Sequence, residues 1–187
     1  MYWIEVVAIL VLAAGLFAGL FQYYDNSRRT NATKGTDEID NFLSDEVVRA
    51  VLRTIEYSEI EVMATNSVGK PLAVWMSPAL FMSALSHQTA HNGKFDPNEY
   101  AVREMFDRFL QKLERIEYLI QGGVIEQRDF ENRFSYWLQL MGEKPSGLLS
   151  HFEEQRKHQL WIYIRMYRFN AVTRLFERYG RTLPTKH

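Results

Sequence analysis

Two histidines on one predicted helix have the residue type and spacing closest to those of a catalytic site. His87 and His91 lie four residues apart, which is one helical turn and a spacing that can chelate a metal ion. Asp96 and Glu99 follow as possible oxygen ligands. The loop sequence NGKFD comes directly after the pair, so the interpretation that we favour is two polar residues at a helix end.

A second histidine row lies further along the chain. His151, Glu154 and His158 share one face of a later predicted helix. Such a row could supply ligands inside a bundle, but bundle di-metal sites use Glu-x-x-His on each of two paired helices, and that motif is absent. His87/His91 and His151/His158 together define an alternative function, a metal-dependent helical-bundle enzyme.

No other part of the sequence carries a recognisable catalytic motif. Glu114 and Glu117 form a pair of carboxylates. The basic residues Lys112 and Arg115 lie beside them, so we expect a solvated helix face. A GxGxxG sequence, a P-loop, HExxH and a nucleophile elbow are all absent. The lack of cysteine excludes thiol catalysis, disulfides and cysteine-ligated metals. We therefore predict a protein that is not an enzyme and uses no cofactor or metal.

The opening segment has the clearest physical character. Residues 6–21 are uninterrupted apolar and small side chains, with Trp3 before them and Tyr23 and Tyr24 after them. A spanning helix needs about 20 mainly apolar residues, and aromatic side chains favour both membrane interfaces. Residues 1–5 lack the positive charge that begins a signal peptide, and the run lacks the polar face of a core helix. The segment predicts a retained transmembrane anchor at residues 1–24.

Charge next to this segment predicts its orientation. Arg28, Arg29 and Lys34 follow it, whereas no basic side chain precedes it. The positive-inside rule then places the C-terminal domain in the cytoplasm and makes the chain a single-pass protein of the inner cell membrane. Residues 25–36 are polar without apolar periodicity, and they predict a flexible linker or a frayed helix extension.

Small residues form a ridge along the predicted anchor: Ala14, Gly15, Ala18 and Gly19. Small side chains at this spacing let two helix backbones approach closely in lipid. One interpretation is pairing with a copy of this helix or with another protein's helix. The other is that glycine and alanine are simply frequent in spanning helices.

Helical periodicity dominates residues 37–187. Its strongest signal is Asp96 as N-cap, Pro97 in the first turn and Glu99 completing a capping box. An apolar seam then recurs every three or four residues from Val102 to Ile120. Gly122 and Gly123 follow it and predict the helix end.

Weaker signals predict the remaining helices. Residues 36–57 predict either one long helix or two short ones, with Ser44 as the expected N-cap of the part that includes Ile55. Ser77 is the expected N-cap of a helix from about Pro78 to His91. Further helices are expected at 126–141, from Leu148, and up to Gly180. The segment LWIYIRMY has strand propensity, but a lone strand has nothing to pair with. The predicted fold class is all-α: an N-terminal transmembrane helix followed by a cytoplasmic multi-helix bundle.

The centre of the chain contains the pattern L-E-x-I-x-x-L-I-x-x-G, followed by V-I-x-x-x-x-F and a Trp-bearing helix. The residues that form it are Leu113, Glu114, Ile116, Leu119, Ile120, Gly123, Val124, Ile125, Phe130 and Trp137. With the N-terminal span, this pattern resembles an uncharacterised family of bacterial and prophage membrane-anchored helical proteins. The resemblance implies a fold and a location but no activity.

Charge is unevenly distributed along the helical domain. Residues 37–61 hold eight acidic and two basic residues, whereas residues 156–186 hold eight basic residues and one acidic residue. Three interpretations compete: the two segments pair inside the bundle, the basic segment lies on an anionic membrane through Arg174, Arg178 and Arg181, or it binds nucleic acid. Internal pairing is favoured.

These features together indicate a binding protein. We expect a membrane-anchored accessory or scaffold protein that acts through protein–protein contact in or beside a membrane complex, such as a defence, exclusion or regulatory protein. Its expected partners are the lipid bilayer and a protein, or a second copy, that contacts the transmembrane helix. Nucleic acid is not an expected partner. The alternative is the metal-dependent enzyme described above.

Overall fold

The computed structural model describes residues 2–65, 69–91, 93–142 and 154–181, without the side chains of 2–14, 25, 27–29, 31, 32, 90 and 91. This part of the chain is mostly helical and includes one two-stranded hairpin. The helices are α1 (Tyr2–Ser44), α2 (Glu46–Glu56), α3 (Pro78–Ala84), α4 (Pro97–Gln121), α5 (Gln127–Met141), α6 (Glu154–Met166) and α7 (Asn170–Arg178), with a 3-10 helix at Gln88–His91. The strands are β1 (Ile60–Thr65) and β2 (Pro71–Met76). The all-α class is confirmed at this level, although the hairpin was not predicted.

The predicted transmembrane anchor is the main correction. Among the residues that the structure describes, no helix has the length and apolar character needed to cross a bilayer. The apolar part of α1 with described side chains is residues 15–24, which rise about 15 Å against a hydrocarbon core of about 30 Å. The prediction of a single-pass membrane protein is therefore wrong on the described residues, and the side chains of residues 2–14 lie outside them.

Residues 25–36 are helical, so the structure has no flexible linker there. α1 continues through them without interruption to Ser44, as in the helix-extension alternative. Every described side chain between residues 15 and 34 is exposed, and the first buried position is Gly35. A Cβ atom at Gly35 would lie 2.3 Å from the carbonyl oxygen of Val124. Glycine at this position therefore lets the α4–α5 loop approach the backbone of α1.

The last turns of α1 pack into an aromatic cluster. Phe42 contacts Phe134 of α5 with ring centroids 5.6 Å apart, and Phe130 lies 4.9 Å from Phe134. Phe109 of α4 lies 6.4 Å from Phe42. Edge and offset contacts between such rings add to the area that they bury. This cluster fixes the C-terminal part of α1 against α4 and α5.

The boundary between α1 and α2 differs from the predicted one by a single residue. The N-cap of α2 is Asp45, whose carboxylate accepts hydrogen bonds from the amides of Val47 and Val48 at 3.0 and 3.2 Å. Ser44, the predicted cap, is the last residue of α1 and donates instead to Asn41. A carboxylate is the better cap here because it also meets the positive helix N-terminus.

The hairpin occupies the region that the sequence showed only as a break in helical periodicity. β1 and β2 pair antiparallel in a register that joins Val62 to Val74. Val62, Ala64, Val74 and Met76 are buried on one face, whereas Trp75 is exposed on the other. The signal in the sequence was this alternation, which spans too few residues to stand out.

Several predicted helix ends are confirmed. Asp96 and Glu99 form the capping box, and Pro97 begins α4. Gly123 at φ +69 and Gly180 at φ +63 follow the ends of α4 and α7. The helix predicted from Ser77 to His91 is shorter, since α3 ends at Ala84 and the 3-10 helix follows. The helix start predicted at Leu148 lies outside the described residues.

Candidate functional site

The histidines do not form a metal site among the described residues. His87 Nδ1 lies 2.7 Å from the hydroxyl of Thr89 and accepts a hydrogen bond from its amide, so Thr89 occupies this nitrogen. His158 is exposed on α6. The side chain of His91 and the whole of His151 lie outside the described part. Within that part, no three histidine, aspartate or glutamate side chains are placed to hold an ion.

The oxygen ligands considered with His87 also have another role. One carboxylate oxygen of Asp96 accepts from the amides of Asn98 and Glu99 at 2.7 and 2.9 Å. Glu99 accepts from the Asp96 amide at 2.9 Å and from the hydroxyl of Ser83. Both carboxylates therefore stabilise the start of α4.

Glu117 does not lie on a solvated helix face, although its charged neighbours in the sequence predict one. It is fully buried in α4 and accepts two hydrogen bonds from Arg178 of α7, at 2.6 Å from Nη2 and 3.1 Å from Nε. The hydrogen bond and charge of Glu117 raise the pKa of Arg178, with burial acting against them. A buried carboxylate needs such a partner because its desolvation is costly.

Glu114 also has a structural role. Its carboxylate accepts a hydrogen bond at 3.1 Å from the amide of Ala171, in the first turn of α7. The carboxylate therefore satisfies an amide that the helix itself leaves without a partner. Together with Glu117, Glu114 attaches both ends of α7 to α4.

The three arginines predicted to contact an anionic surface do not form a shared cationic face. Arg178 is paired with Glu117, and Arg181 is 9% exposed with its aliphatic carbons against Gly142. Arg174 is exposed, with its guanidinium carbon 5.9 Å from the ring centre of Tyr118. Two of the three side chains are thus used within the domain, and contact of the three arginines with an anionic surface stays a prediction.

In the described part of the chain, the acidic residues 37–61 form ion pairs mainly with α4 and α5, and not with the basic residues 156–186 as predicted. Asp45 lies 3.0 Å from Lys112 and Glu38 lies 2.8 Å from Arg115, both on α4, and Asp40 pairs with Arg133 of α5. Burial acts to raise the pKa of Asp45, but the hydrogen bonds from Lys112 and from two amides lower it overall.

One contact does join the basic segment to the acidic one. Arg156 of α6 is buried and donates to the backbone carbonyls of Thr54 and Tyr57, at the end of α2. Its guanidinium carbon lies 5.0 Å from the ring centre of Phe81. The arginine therefore satisfies carbonyls that the helix end leaves open.

A polar cluster between α4 and α6 is the nearest arrangement to a catalytic centre. The hydroxyl of Tyr163 donates to Asp107, and burial raises the pKa of both groups. Arg103 lies over Tyr163 and Tyr167, 5.0 and 4.5 Å from their ring centres, and over Phe95 at 4.8 Å. It also donates to the backbone carbonyls of Ala84, the last residue of α3, and of Ser86. The hydrogen bond from Tyr163 to Asp107 and the contacts of Arg103 with Tyr163 and Tyr167 join α4 to α6, so the cluster holds these helices together.

The outer part of α1 exposes more large apolar side chains than any other element of the described chain. Leu16, Phe17, Leu20 and Phe21 are 65–76% exposed, and Tyr23 and Tyr24 are similarly open. Gly15, Ala18 and Gly19 are exposed on another side of the same helix, and a Cβ on either glycine would have no atom within 4 Å. The side chain of Ala14 lies outside the described residues. Contiguous exposed apolar surface of this kind marks an interaction site.

Comparison with known proteins adds no assignment. The chain matches no protein-family profile, no curated protein and no solved structure. The functional conclusion therefore depends on the geometry of the chain itself.

Proposed function

We propose that this protein is an accessory or scaffold subunit that acts by binding another protein chain through α1. The contact surface is residues 15–24, which we name the apolar stretch. The observation that carries the proposal is the exposure of Leu16, Phe17, Leu20 and Phe21. Nothing in the described chain covers these side chains.

The form of α1 supports a helix-to-helix contact. Residues 15–34 are helical and exposed wherever their side chains are described, so this part of α1 rises about 30 Å beyond its first buried residue. An isolated helix in water is marginal, and most helical stability comes from packing of an apolar face. A partner helix on the apolar stretch would supply that packing.

The charges of the helical domain support a structural role for the rest of the chain. Glu117, Arg178, Asp45 and Lys112 are engaged in pairs between helices. Such pairs fix the domain that carries α1.

The proposal is tested by changing the apolar stretch alone. The variant Phe17→Glu/Phe21→Glu places charge on the exposed apolar side of α1, where it contacts nothing in the domain. Tyr100→Glu, which changes an exposed aromatic residue of α4, is the matched control. Each full-length chain is expressed separately in cells of the source organism. The apparent mass of the native protein is then measured by size-exclusion chromatography.

The expected result is an assembly larger than 22.0 kDa for the wild type and for Tyr100→Glu, and a shift toward the single chain for the double variant. Charge at a helix–helix contact would be desolvated without a partner, which is unfavourable. Equal apparent mass for the wild type and the double variant would contradict the proposal.

A further inference from the structure

A groove lies between α2 and the hairpin, beside the contact of α2 with β1, on a different part of the molecule from the apolar stretch. Its volume is about 580 Å³, which is within the usual range for ligand sites. The α2 wall consists of Glu46, Val47, Arg49, Ala50 and Arg53. The facing wall consists of residues 61–65 with Gly69 and Pro71.

The edge of β1 lies along this groove. Successive side chains of a strand point to opposite faces, and here Val62 and Ala64 are buried while Met63 is exposed. The groove touches all of residues 61–65, which include buried and exposed side chains. It therefore follows the edge of the strand, where the two faces meet.

The backbone of β1 has unused hydrogen-bonding groups on that edge. β1 pairs with β2 on one side. Among the described residues, no backbone group of residues 61–65 makes a hydrogen bond on the other side. In an antiparallel pair, alternate residues direct their N–H and C=O groups away from the partner strand. An open edge of this kind is a template for another strand.

Charge in the groove indicates what an added strand would carry. Arg49 and Arg53 are exposed, one helical turn apart, and their side chains have no hydrogen-bond or ion-pair partner among the described residues. They form a cationic pair on the wall that faces the strand edge. A carboxylate on the ligand would be held by both guanidinium groups.

The two carboxylates of the groove lie at its ends. Glu46 begins α2 and Glu61 is the second residue of β1. Val47 lines a small adjoining cavity together with Ala64 and Thr65, which places the start of α2 beside the end of β1. On this placement Glu46 and Glu61 are at opposite ends, with Arg49 between them and Arg53 toward the Glu61 end.

We propose that the α2–β1 groove binds an extended acidic peptide segment of another protein as a third strand on β1, with a ligand carboxylate paired to Arg49 and Arg53. Main-chain hydrogen bonds to β1 would supply affinity, and the arginines would select the side chain. Five residues of the ligand would span about 17 Å. This binding site does not depend on the apolar stretch of α1.

The test uses the full-length chain and fluorescein-labelled peptides in fluorescence anisotropy titrations. The first probe is Thr-Val-Glu-Val-Glu-Val, blocked at its C-terminus. A second probe has lysine in place of glutamate. Two more probes keep the acidic sequence but carry N-methyl groups on the odd or on the even residues. Only one of these two sets of amides can face β1 in an added strand.

The expected result is binding of the acidic probe, loss of binding with the lysine probe, and loss with one of the two N-methylated probes but not with the other. Arg49→Glu should weaken the acidic probe at least about tenfold, or about 1.4 kcal/mol. Arg128→Glu, which changes an exposed arginine of α5, should leave the affinity within about twofold.

Phe17→Glu in α1 should also leave the peptide affinity unchanged, which separates this result from the proposed function of α1. Equal binding of both N-methylated probes and the unmethylated probe would overturn strand addition. Equal effects of Arg49→Glu and Arg128→Glu would overturn the charge assignment. The absence of binding by the acidic probe at 1 mM, about the weak limit of specific affinity, would overturn the proposal as a whole.

Discussion

The carboxylate of Glu117 on α4 is fully buried and is held by Arg178 of α7 at 2.6 and 3.1 Å. This pair lies at the C-terminal end of α7, while Glu114 caps the start of the same helix. α7 is short, with nine residues, so its position depends on such contacts as well as on its buried face. The pair joins the last helix of the described chain to the longest helix of the domain core.

Removing one partner of the pair should destabilise the fold strongly. Arg178→Ala leaves the Glu117 charge buried without a partner, so we expect the free energy of unfolding to fall by about 3 kcal/mol. Glu117→Leu/Arg178→Leu should recover most of this loss because no buried charge remains. Arg174→Ala, one turn earlier on an exposed position, should change stability by less than about 0.5 kcal/mol. Urea unfolding of the four chains measures these differences, and equal effects of Arg178→Ala and Arg174→Ala would contradict the assignment.

Gly35 should tolerate no larger side chain. Its Cβ position lies 2.3 Å from the Val124 carbonyl oxygen, so Gly35→Ala must push the α4–α5 loop away from α1. We expect a loss of about 1–3 kcal/mol in the free energy of unfolding, measured by urea denaturation. Gly19→Ala is the control, because a Cβ there meets nothing within 4 Å and alanine favours the helix. A Gly35→Ala chain as stable as Gly19→Ala would show that the loop does not pack there.

Asp107 should lower stability at neutral pH because its charge is partly buried. Burial raises its pKa above the ordinary value of 3.8. Its contribution to stability is therefore complete below 3.8 and is lost as the pH rises through the raised value. Asp107→Asn keeps an oxygen that accepts from Tyr163 but carries no charge. We expect the difference in stability between this variant and wild type to favour the variant more at pH 7 than at pH 3. Thermal unfolding of both proteins at the two pH values measures this difference. The same relative stability at both would contradict the burial argument.

Asp45 should stabilise the fold as the N-cap of α2. Asp45→Ala removes the acceptor of two amide hydrogen bonds and the partner of Lys112, so we expect a loss of about 1 kcal/mol at pH 7. The pKa of Asp45 is lowered, so its contribution should persist above 3.8 and disappear as the pH falls through the lowered value. Ser44→Ala should be close to neutral in the same unfolding measurement, and a larger effect of Ser44→Ala would reverse the assignment.

Long helices with strong end signals were predictable from the sequence. The capping box of Asp96 and Glu99 and the glycine at 123 depend on contacts within a few residues, and the apolar seam of α4 repeats over many turns. The same local rules predict the N-cap of α2 one residue early, because Ser44 and Asp45 both suit a cap; Asp45 accepts the capping hydrogen bonds and also pairs with Lys112 of α4.

Long-range contacts were not predictable in the same way. Glu117 was expected in solvent because of its charged neighbours, although it lies four residues after Leu113 and three before Ile120, on the buried face. Its partner Arg178 is 61 residues away, and no local pattern links the two. The hairpin was missed because each strand has six residues and its stability comes from pairing. The apolar residues 6–21 and their aromatic flanks predict a spanning helix on composition alone, whereas the described residues contain none.

The central claim, that the apolar stretch of α1 contacts another protein chain, is tested most directly by site-specific photo-crosslinking in cells. A benzophenone amino acid replaces Phe17, which is 73% exposed in the apolar stretch, or Asn26, which is exposed further along the same helix. Ultraviolet irradiation followed by denaturing electrophoresis then reports covalent protein adducts. The account predicts a discrete adduct larger than the single chain from position 17 and little or none from position 26. No protein adduct from position 17, or equal adducts from both positions, would contradict it.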